Sequence, residues 1–520
     1  MDILSKIGES LLYFDGGLGT ELFRRGLKPG SVPDLLTLDD PDAVSSVYLD
    51  YLRAGADIIN SNTFGACTER VGHSMEEVIN LGVFLARRAV YANRGGFVAL
   101  NLGPTGRKME PKGDFTFNEA FELYSEAVRL GVKAGADLIN LETMYDIYEA
   151  KAAVMAAREQ TDLPVFVSVN VGDDGKMASG TDLVSAGILL ESLGADAVGV
   201  NCVSPDMGIK AAELLSGTLS VPVIITPNAG LPRFTNGRAS YDITPEAFAE
   251  KMEKAALSGA HILGGCCGTT PEHISALKKR TENLEPVPLN EKSAFIVSSR
   301  ASHVTLGDNP CIIGVGIDPK RDREIAACYL SGDTSAAVFS AERQKKAGAG
   351  IIAVRADMKD ADEAELLPEL VSDIETACPV PLLIEAGSEK SALRALRACR
   401  GRPILRTGNI PQEKAILLAA KYGAAVMAAP QGKTPEAKVK EGKKILNEAK
   451  KLGLKDNAVI LEAMLPGDDP ETAFRTASLI KKELKCPVAA DMRECAAPEL
   501  LTKAFSAGVD AVFADVSDMK

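Results

Sequence analysis

The hydrophobic pattern of this chain is one repeated phrase. A helical segment ends on glycine, a short apolar run follows, and the run closes on a polar residue. The phrase reads Ala-Gly-Ala-Asp-Ile-Ile-Asn at 54–60, Ala-Gly-Ala-Asp-Leu-Ile-Asn at 134–140 and Leu-Gly-Ala-Asp-Ala-Val-Gly-Val-Asn at 193–201. Ser-Gly-Ala-His-Ile-Leu-Gly-Gly continues it at 258–265, and the same beat returns at 347–355, 422–429 and 507–515. Glycine closes a helix in the left-handed conformation. Short, nearly continuous apolar runs suit parallel strands buried on both faces. Further strands are predicted at 11–15, 97–102, 165–169 and 223–226, with amphipathic helices over 118–133 and 147–158.

Repeated βα units without an obvious β-hairpin signal predict (β/α)8 barrels. About eight strands precede Lys278, as one such barrel requires. A polar, proline-containing stretch, Glu285-Pro-Val-Pro-Leu-Asn-Glu-Lys292, follows, and then a second βα series. The expected fold is therefore α/β, two TIM barrels in tandem over residues 1–285 and 296–520, with the boundary near 283–295. A single doubly wound sheet is the competing architecture.

Composition changes this picture little. A hydrophobic fraction of 46% and a charged fraction of 25% over 520 residues are those of globular proteins. No run approaches the roughly 18 uncharged apolar residues of a spanning helix, and the first residues lack a basic segment followed by an apolar core. A cytoplasmic protein with no membrane partner is expected. The formal net charge of −13 argues against nucleic acid as a partner, which needs a basic footprint.

Ten cysteines are too dilute for a disulfide scaffold. Eight stand apart, whereas Cys266 and Cys267 are adjacent and flanked by glycines. The histidines are His73, His261, His273 and His303, so a zinc site would lean on thiolates. In a parallel barrel the chemistry sits where strands end. The strand ends here carry Asp15-Gly-Gly-Leu-Gly-Thr20, Asn60, Asn101, Glu142, Asn170, Asn201-Cys202, Pro227-Asn-Ala-Gly230 and Gly264-Gly-Cys-Cys-Gly268. If the last strand closes beside the earlier ones, the sulfurs of Cys202, Cys266 and Cys267 converge. Three thiolates form a tripod for tetrahedral Zn²⁺ with a fourth position open, and an open site of this kind suits a soft thiol as substrate. Against this, a lone cysteine at a strand end is ordinarily a small buried hydrophobe. The Gly-Gly-Cys-Cys-Gly doublet is the rarer feature, because two adjacent side chains face one centre only through a glycine-permitted turn.

Several motifs together carry a resemblance. Asp15-Gly-Gly-Leu-Gly-Thr-Glu21, Asn62-Thr-Phe-Gly65, Glu142-Thr143, Gly199-Val-Asn-Cys202, Pro227-Asn-Ala-Gly230 and Gly264-Gly-Cys-Cys-Gly-Thr-Thr-Pro-Glu-His273 make the first 280 or so residues resemble the homocysteine S-methyltransferases, above all the N-terminal module of cobalamin-dependent methionine synthases. The resemblance implies Zn²⁺ on Cys202, Cys266 and Cys267, binding and deprotonating homocysteine for methyl transfer. It also implies that the backbone amides of Asp15 and Gly16 take the amino-acid carboxylate and that Glu142 pairs with the ammonium. Asn201 and Asn228 would shape the pocket. Cys67 reads as packing, and Cys311, Cys328, Cys378, Cys399, Cys486 and Cys495 form no group.

The second series resembles a pterin-binding barrel in length and order, but its polar signature departs. Phe295-Ile-Val-Ser-Ser-Arg-Ala-Ser302 stands where that family's opening strand carries Ile-Gly-Glu-Arg-Thr-Asn. Glu385-Ala-Gly387, Arg406-Thr-Gly408 and Glu462-Ala-Met464 stand for its Asp-Ser-Ser, Asn-Ser and Asp-Pro-Asn strand ends. Pterin recognition uses short Asp and Asn side chains whose pairing discriminates steeply, so folate binding is expected to be lost. No Asp-x-His-x-x-Gly cobalamin loop is present, and methylcobalamin is expected in trans from a separate corrinoid protein. Three alternatives stay open: methyltetrahydrofolate in the second barrel, a small sulfonium or betaine donor, or a second barrel that only docks the corrinoid partner.

Overall fold

The computed structural model describes residues 3–28, 30–230, 233–235, 238–290, 294–307, 309–494 and 497–516. Cys495 lies outside them. The chain divides into two units, Met1–Glu291 and Lys292–Lys520.

In the first unit eight parallel strands alternate with helices. They are β1 (Leu12–Tyr13), β2 (Ile58–Asn60), β3 (Phe97–Leu102), β4 (Leu138–Met144), β5 (Val165–Val169), β6 (Ala197–Asn201), β7 (Val223–Thr226) and β8 (Ile262–Leu263). β1 pairs with β8 through Leu12 and Ile262, and a parallel bridge from Phe14 to Ile58 closes the ring. The interior is filled by one apolar side chain per strand or so, among them Leu12, Phe14, Ile58, Leu138, Phe166, Ile224 and Ile262. The Phe14 and Phe166 rings meet edge to face at 6.3 Å. Burying each such large side chain contributes about 1.5–3 kcal/mol.

The helices start where the sequence supplies caps. Phe117–Ala134 opens with a reciprocal capping box between Thr116 and Glu119 and stops at Gly135, whose φ is 96°. Pro205–Ser216 has Ser204 accepting from the Met207 N–H and proline in its first turn, which satisfies orphan donors and presets φ.

The second unit is a closed barrel of eight parallel strands: β9 (Cys311–Gly314), β10 (Ile351–Arg355), β11 (Leu382–Glu385), β12 (Ile404–Arg406), β13 (Ala425–Ala428), β14 (Val459–Met464), β15 (Val488–Asp491) and β16 (Ala511–Ala514). Two α/β barrels are thus present, as the βα phrase predicts.

One expectation is corrected. Phe295–Ser298, read as an opening barrel strand, pairs antiparallel with His303–Leu306 as a hairpin, and the barrel opens at Cys311. The turn is made locally: Ser299 Oγ accepts from the Ala301 and Ser302 N–H groups, as hydroxyl side chains do in tight turns. Phe295, Val297 and Leu306 then join the barrel's core. A second hairpin joins Arg233–Thr235 to Arg238–Ser240 in the first unit, so the expected lack of hairpins fails twice. Among the described residues no helix is long and apolar enough to cross a membrane.

Candidate active site

Cys202 follows β6, and Cys266 and Cys267 follow β8. Because β6, β7 and β8 are consecutive neighbours in the sheet, their ends lie side by side. The three sulfurs fall within 4.8 Å of one another. Those of Cys202 and Cys266 touch, with Cα atoms 5.5 Å apart, and Cys267 Sγ is 3.9 Å from Cys202 Sγ. This spacing admits either a disulfide or joint ligation of one ion, and ligation requires the reduced thiols.

The backbone that presents these thiols is held from several sides. The Cys202 N–H donates to Thr226 O at 3.2 Å and the Cys266 N–H to Pro227 O at 2.8 Å. The Cys267 N–H donates to Asn228 Oδ1 at 3.1 Å, and Asn170 Nδ2 donates to Cys202 O at 3.0 Å. Cys202 itself sits at φ 52°, a left-handed conformation that a non-glycine residue keeps only when its surroundings impose it. Gly268, at φ 82°, ends the doublet; a Cβ there would lie 2.1 Å from the Tyr241 ring.

The donor set fits a thiophilic divalent ion. Three thiols converge, and among the described residues no fourth ligating side chain joins the group. His261 is excluded by its own bonds: Nδ1 accepts from the Val223 N–H at 3.2 Å, and Nε2 lies 2.8 Å from Val287 O. Without a cation the Cys267 thiol resists ionisation. Burial first, and then the Glu142 carboxylate, push the Cys267 thiol up, while the Tyr241 hydroxyl pulls it the other way.

Glu142 approaches the cluster, with Oε1 3.9 Å from Cys266 Sγ. Its strand is irregular at this point: the β4–β5 register shifts between Leu141 and Met144, and Thr143 has φ 61°. Bulges of this kind re-aim side chains beside active sites. Burial pushes the Glu142 carboxyl up to about 7 against hydrogen bonds from Asn101 and Asn201. Among the described residues its partners are amides and a thiol, with no basic side chain in an ion pair to it. A ligand ammonium would supply the missing charge.

Asn201 has no exposed surface. Its Nδ2 donates to Glu142 Oε1 at 2.9 Å and to Thr143 Oγ1 at 2.6 Å, and its Oδ1 accepts from the Thr143 N–H at 2.9 Å. Asn201 therefore ties Glu142 to the Thr143 turn, and its Nδ2 also lies 3.9 Å from Cys266 Sγ. Asn60 and Asn140, which close the same sequence phrase, extend the network. Asn140 Nδ2 donates to Asn60 Oδ1 at 2.9 Å, and Asn60 donates through N and Nδ2 to the Asp15 carboxylate at 2.9 Å. The repeated Asn was visible in the sequence; its cross-strand pairing was not.

The expectation for Asp15 is corrected. Its backbone N–H donates to Ile58 O at 3.0 Å, since closing the barrel uses that amide, and it is not available to a carboxylate. Its side chain is buried, and burial drives its carboxyl well above the usual range against the Asn60 hydrogen bonds. Gly16 keeps an N–H with no internal partner among the described residues. Its backbone lies so close to Tyr51 and Thr269 that a Cβ would meet the Tyr51 hydroxyl at 2.9 Å.

The strand ends of the second barrel carry a network of ion pairs. Arg406 pairs with Glu385, Glu462 and Asp491, Arg493 with Asp491 and Glu385, and Arg355 with Asp357. Although burial opposes it, these arginines hold the Glu385 carboxyl below its usual range.

Fold and site together define a tandem (β/α)8-barrel protein with a three-thiol cluster beside a carboxylate at the strand ends of its first barrel. The family model for homocysteine S-methyltransferase matches residues 12–281, just over half of the chain, and the chain belongs to that family. It is 26% identical over 504 residues to the methionine synthase of Mycobacterium tuberculosis, covering 89% of this chain and 42% of that one. Similarity to the Mycobacterium leprae methionine synthase is 26% over 508 residues, with the same coverage. The chain thus spans about two-fifths of the length of these curated relatives. Among solved structures, the apo form of the homocysteine methyltransferase MmuM from Escherichia coli is 26% identical, covering 54% of this chain and 98% of that one, with a TM-score of 0.44. Its metallated form is 24% identical, covering 52% and 96%, with a TM-score of 0.45.

Proposed function

We propose that this chain is a homocysteine S-methyltransferase of the methionine synthase type, with Cys202, Cys266 and Cys267 holding Zn²⁺ and methylcobalamin presented by a separate corrinoid protein. The observation that carries the reading is the convergence of three thiols within 4.8 Å at the same strand ends as an ammonium-ready carboxylate.

Bound Zn²⁺ would supply Lewis acidity, lowering the pKa of a ligated thiol from about 8.5 toward neutrality. The protein supplies the rest. Glu142, steadied by Asn201, holds the substrate ammonium, and the Gly16 N–H meets the carboxylate end. With both ends of the amino acid fixed, the side-chain sulfur is directed to the cysteine trio. The new S–C bond forms as the methyl–donor bond breaks, the bonding pair stays with the donor, and the thiol proton passes to solvent. Orientation of thiolate and methyl carbon along one axis accounts for most of the rate.

In this reading the second barrel is not the donor site. Where a pterin needs short amide and carboxyl partners, Glu385, Arg406 and Glu462 already pair with one another. The test supplies reduced, zinc-loaded protein and homocysteine with free methylcobalamin, methyltetrahydrofolate, S-methylmethionine or betaine in turn. Methionine is expected from methylcobalamin alone, and titration with methyltetrahydrofolate should show no binding. Tight folate binding, or faster turnover with a sulfonium or betaine donor, would overturn the assignment of the donor.

A further inference from the structure

The second barrel holds a site of its own kind. We propose that its mouth is a cradle for a planar guanidine-type cation and that Arg406 is the built-in occupant. The inference does not depend on the chemistry of the first barrel.

Arg406 ends β12, and its guanidinium is met on every edge. Nε and Nη2 form a two-pronged fork to Glu462, at 3.0 and 2.6 Å. Nη2 also donates to Asp491 at 3.1 Å, and Nη1 pairs with Glu385. The flat face lies over the Phe513 ring, 4.6 Å from its centroid. A guanidinium is recognised in this way, by forked carboxylates in its plane and an aromatic ring beneath.

The cradle is convergent. Glu385, Glu462, Asp491 and Phe513 come from β11, β14, β15 and β16 respectively, so sequence proximity does not account for their meeting. Glu462 is 1% exposed and Asp491 is fully buried. Two or more carboxylates at such depth are stable only around a cation held in good geometry. The β14–β15 register shifts between Glu462 and Met464, so the strand is irregular at the cradle. Arg493 shares Asp491 at 2.8 Å and Glu385 at 3.4 Å and lies farther from the Phe513 ring, at 5.5 Å, whereas the two-pronged fork to Glu462 is made by Arg406.

An open cleft of about 680 Å³ adjoins it, lined in part by Arg355, Glu385, Arg406, Gln431 and Glu462. A small ligand therefore has access to this position once the side chain is removed.

The test is chemical rescue of Arg406→Ala in the full chain, read by thermal denaturation and by equilibrium dialysis of labelled methylguanidinium. The variant should melt roughly 10 °C below wild type, the scale for leaving the buried Glu462 carboxylate without its cation while Arg493 still pairs with Asp491 and Glu385. Millimolar methylguanidinium should restore more than half of that loss and bind saturably, whereas methylammonium at equal ionic strength should not. Wild-type protein should bind neither. If Arg406→Ala does not fold alone, its refolding yield with and without methylguanidinium becomes the readout, and a rise is expected. Adding Glu462→Gln to Arg406→Ala should abolish rescue. Wild-type stability of the variant, equal rescue by methylammonium, or no rescue by either cation would overturn the proposal.

Discussion

Replacing Glu142 with glutamine separates the substrate-holding role of this residue from the metal cluster. The substitution keeps size and shape, and Asn201 Nδ2, now 2.9 Å from Oε1, can still donate to the amide oxygen. The thiol trio is left in place, since the nearest sulfur, Cys266 Sγ, is 3.9 Å away. What is lost is the negative charge that would meet the homocysteine ammonium. A hydrogen bond to a charged group is worth about 1.5–3 kcal/mol. At about 1.4 kcal/mol per decade this predicts a rise in KM for homocysteine of roughly 10- to 150-fold. Steady-state kinetics should place the loss in KM, with kcat within about threefold of wild type, because uniform binding is what has been removed. Zinc content should be unchanged. A substrate analogue with no amino group, 4-mercaptobutyrate, gives the internal control: wild type and variant should use it equally. A KM for homocysteine indistinguishable from wild type, or a fall in kcat accompanied by loss of zinc, would show that Glu142 does not hold the ammonium.

Two further substitutions probe the scaffold. Asn201→Ala leaves the Thr143 N–H and Glu142 Oε1 without their buried partner; it should cost about 2–4 kcal/mol in denaturant unfolding and raise KM for homocysteine, and unchanged values of both would contradict the positioning role. Glu149 is 3% exposed; burial raises its carboxyl pKa despite hydrogen bonds from the Thr105 N–H, the Thr105 hydroxyl and Tyr124. A raised folded pKa means that ionising Glu149 costs stability, a cost absent below the unfolded value near 4.3 and growing as pH rises through the folded value. Glu149→Gln, whose amide oxygen can still accept those bonds, should therefore gain stability over wild type with rising pH, the two converging near pH 4; a gap independent of pH would contradict this.

The parts of this molecule written in local sequence were legible, and the parts written across strands were not. The phrase of glycine, apolar run and polar terminus gave the barrels, because helix termination and strand burial are local properties. The Gly-Gly-Cys-Cys-Gly doublet gave the cluster, because Cys202 needed only adjacent strand ends to join it. Phe295–Ser298 was misread because a short apolar run looks the same in a hairpin as in a barrel strand; the deciding signal was the Ser299 turn. The Asp15 amide was misassigned because its engagement with Ile58 O arises only on ring closure. The Arg406 cradle was invisible as a site because its members come from strands spread between residues 382 and 514, although Glu385 and Glu462 in place of Asp, and Arg406 in place of Asn, were plain.

Zinc-edge X-ray absorption on reduced protein, with metal content measured on the same sample, shows whether the cysteine trio holds the ion with a corner open to substrate. About one zinc ion per chain is expected, with three sulfur neighbours at about 2.3 Å, a fourth sulfur appearing when homocysteine is added, and loss of the ion in Cys266→Ser. A chain that retains no zinc when its thiols are reduced, or a sulfur shell that homocysteine leaves unchanged, would contradict this.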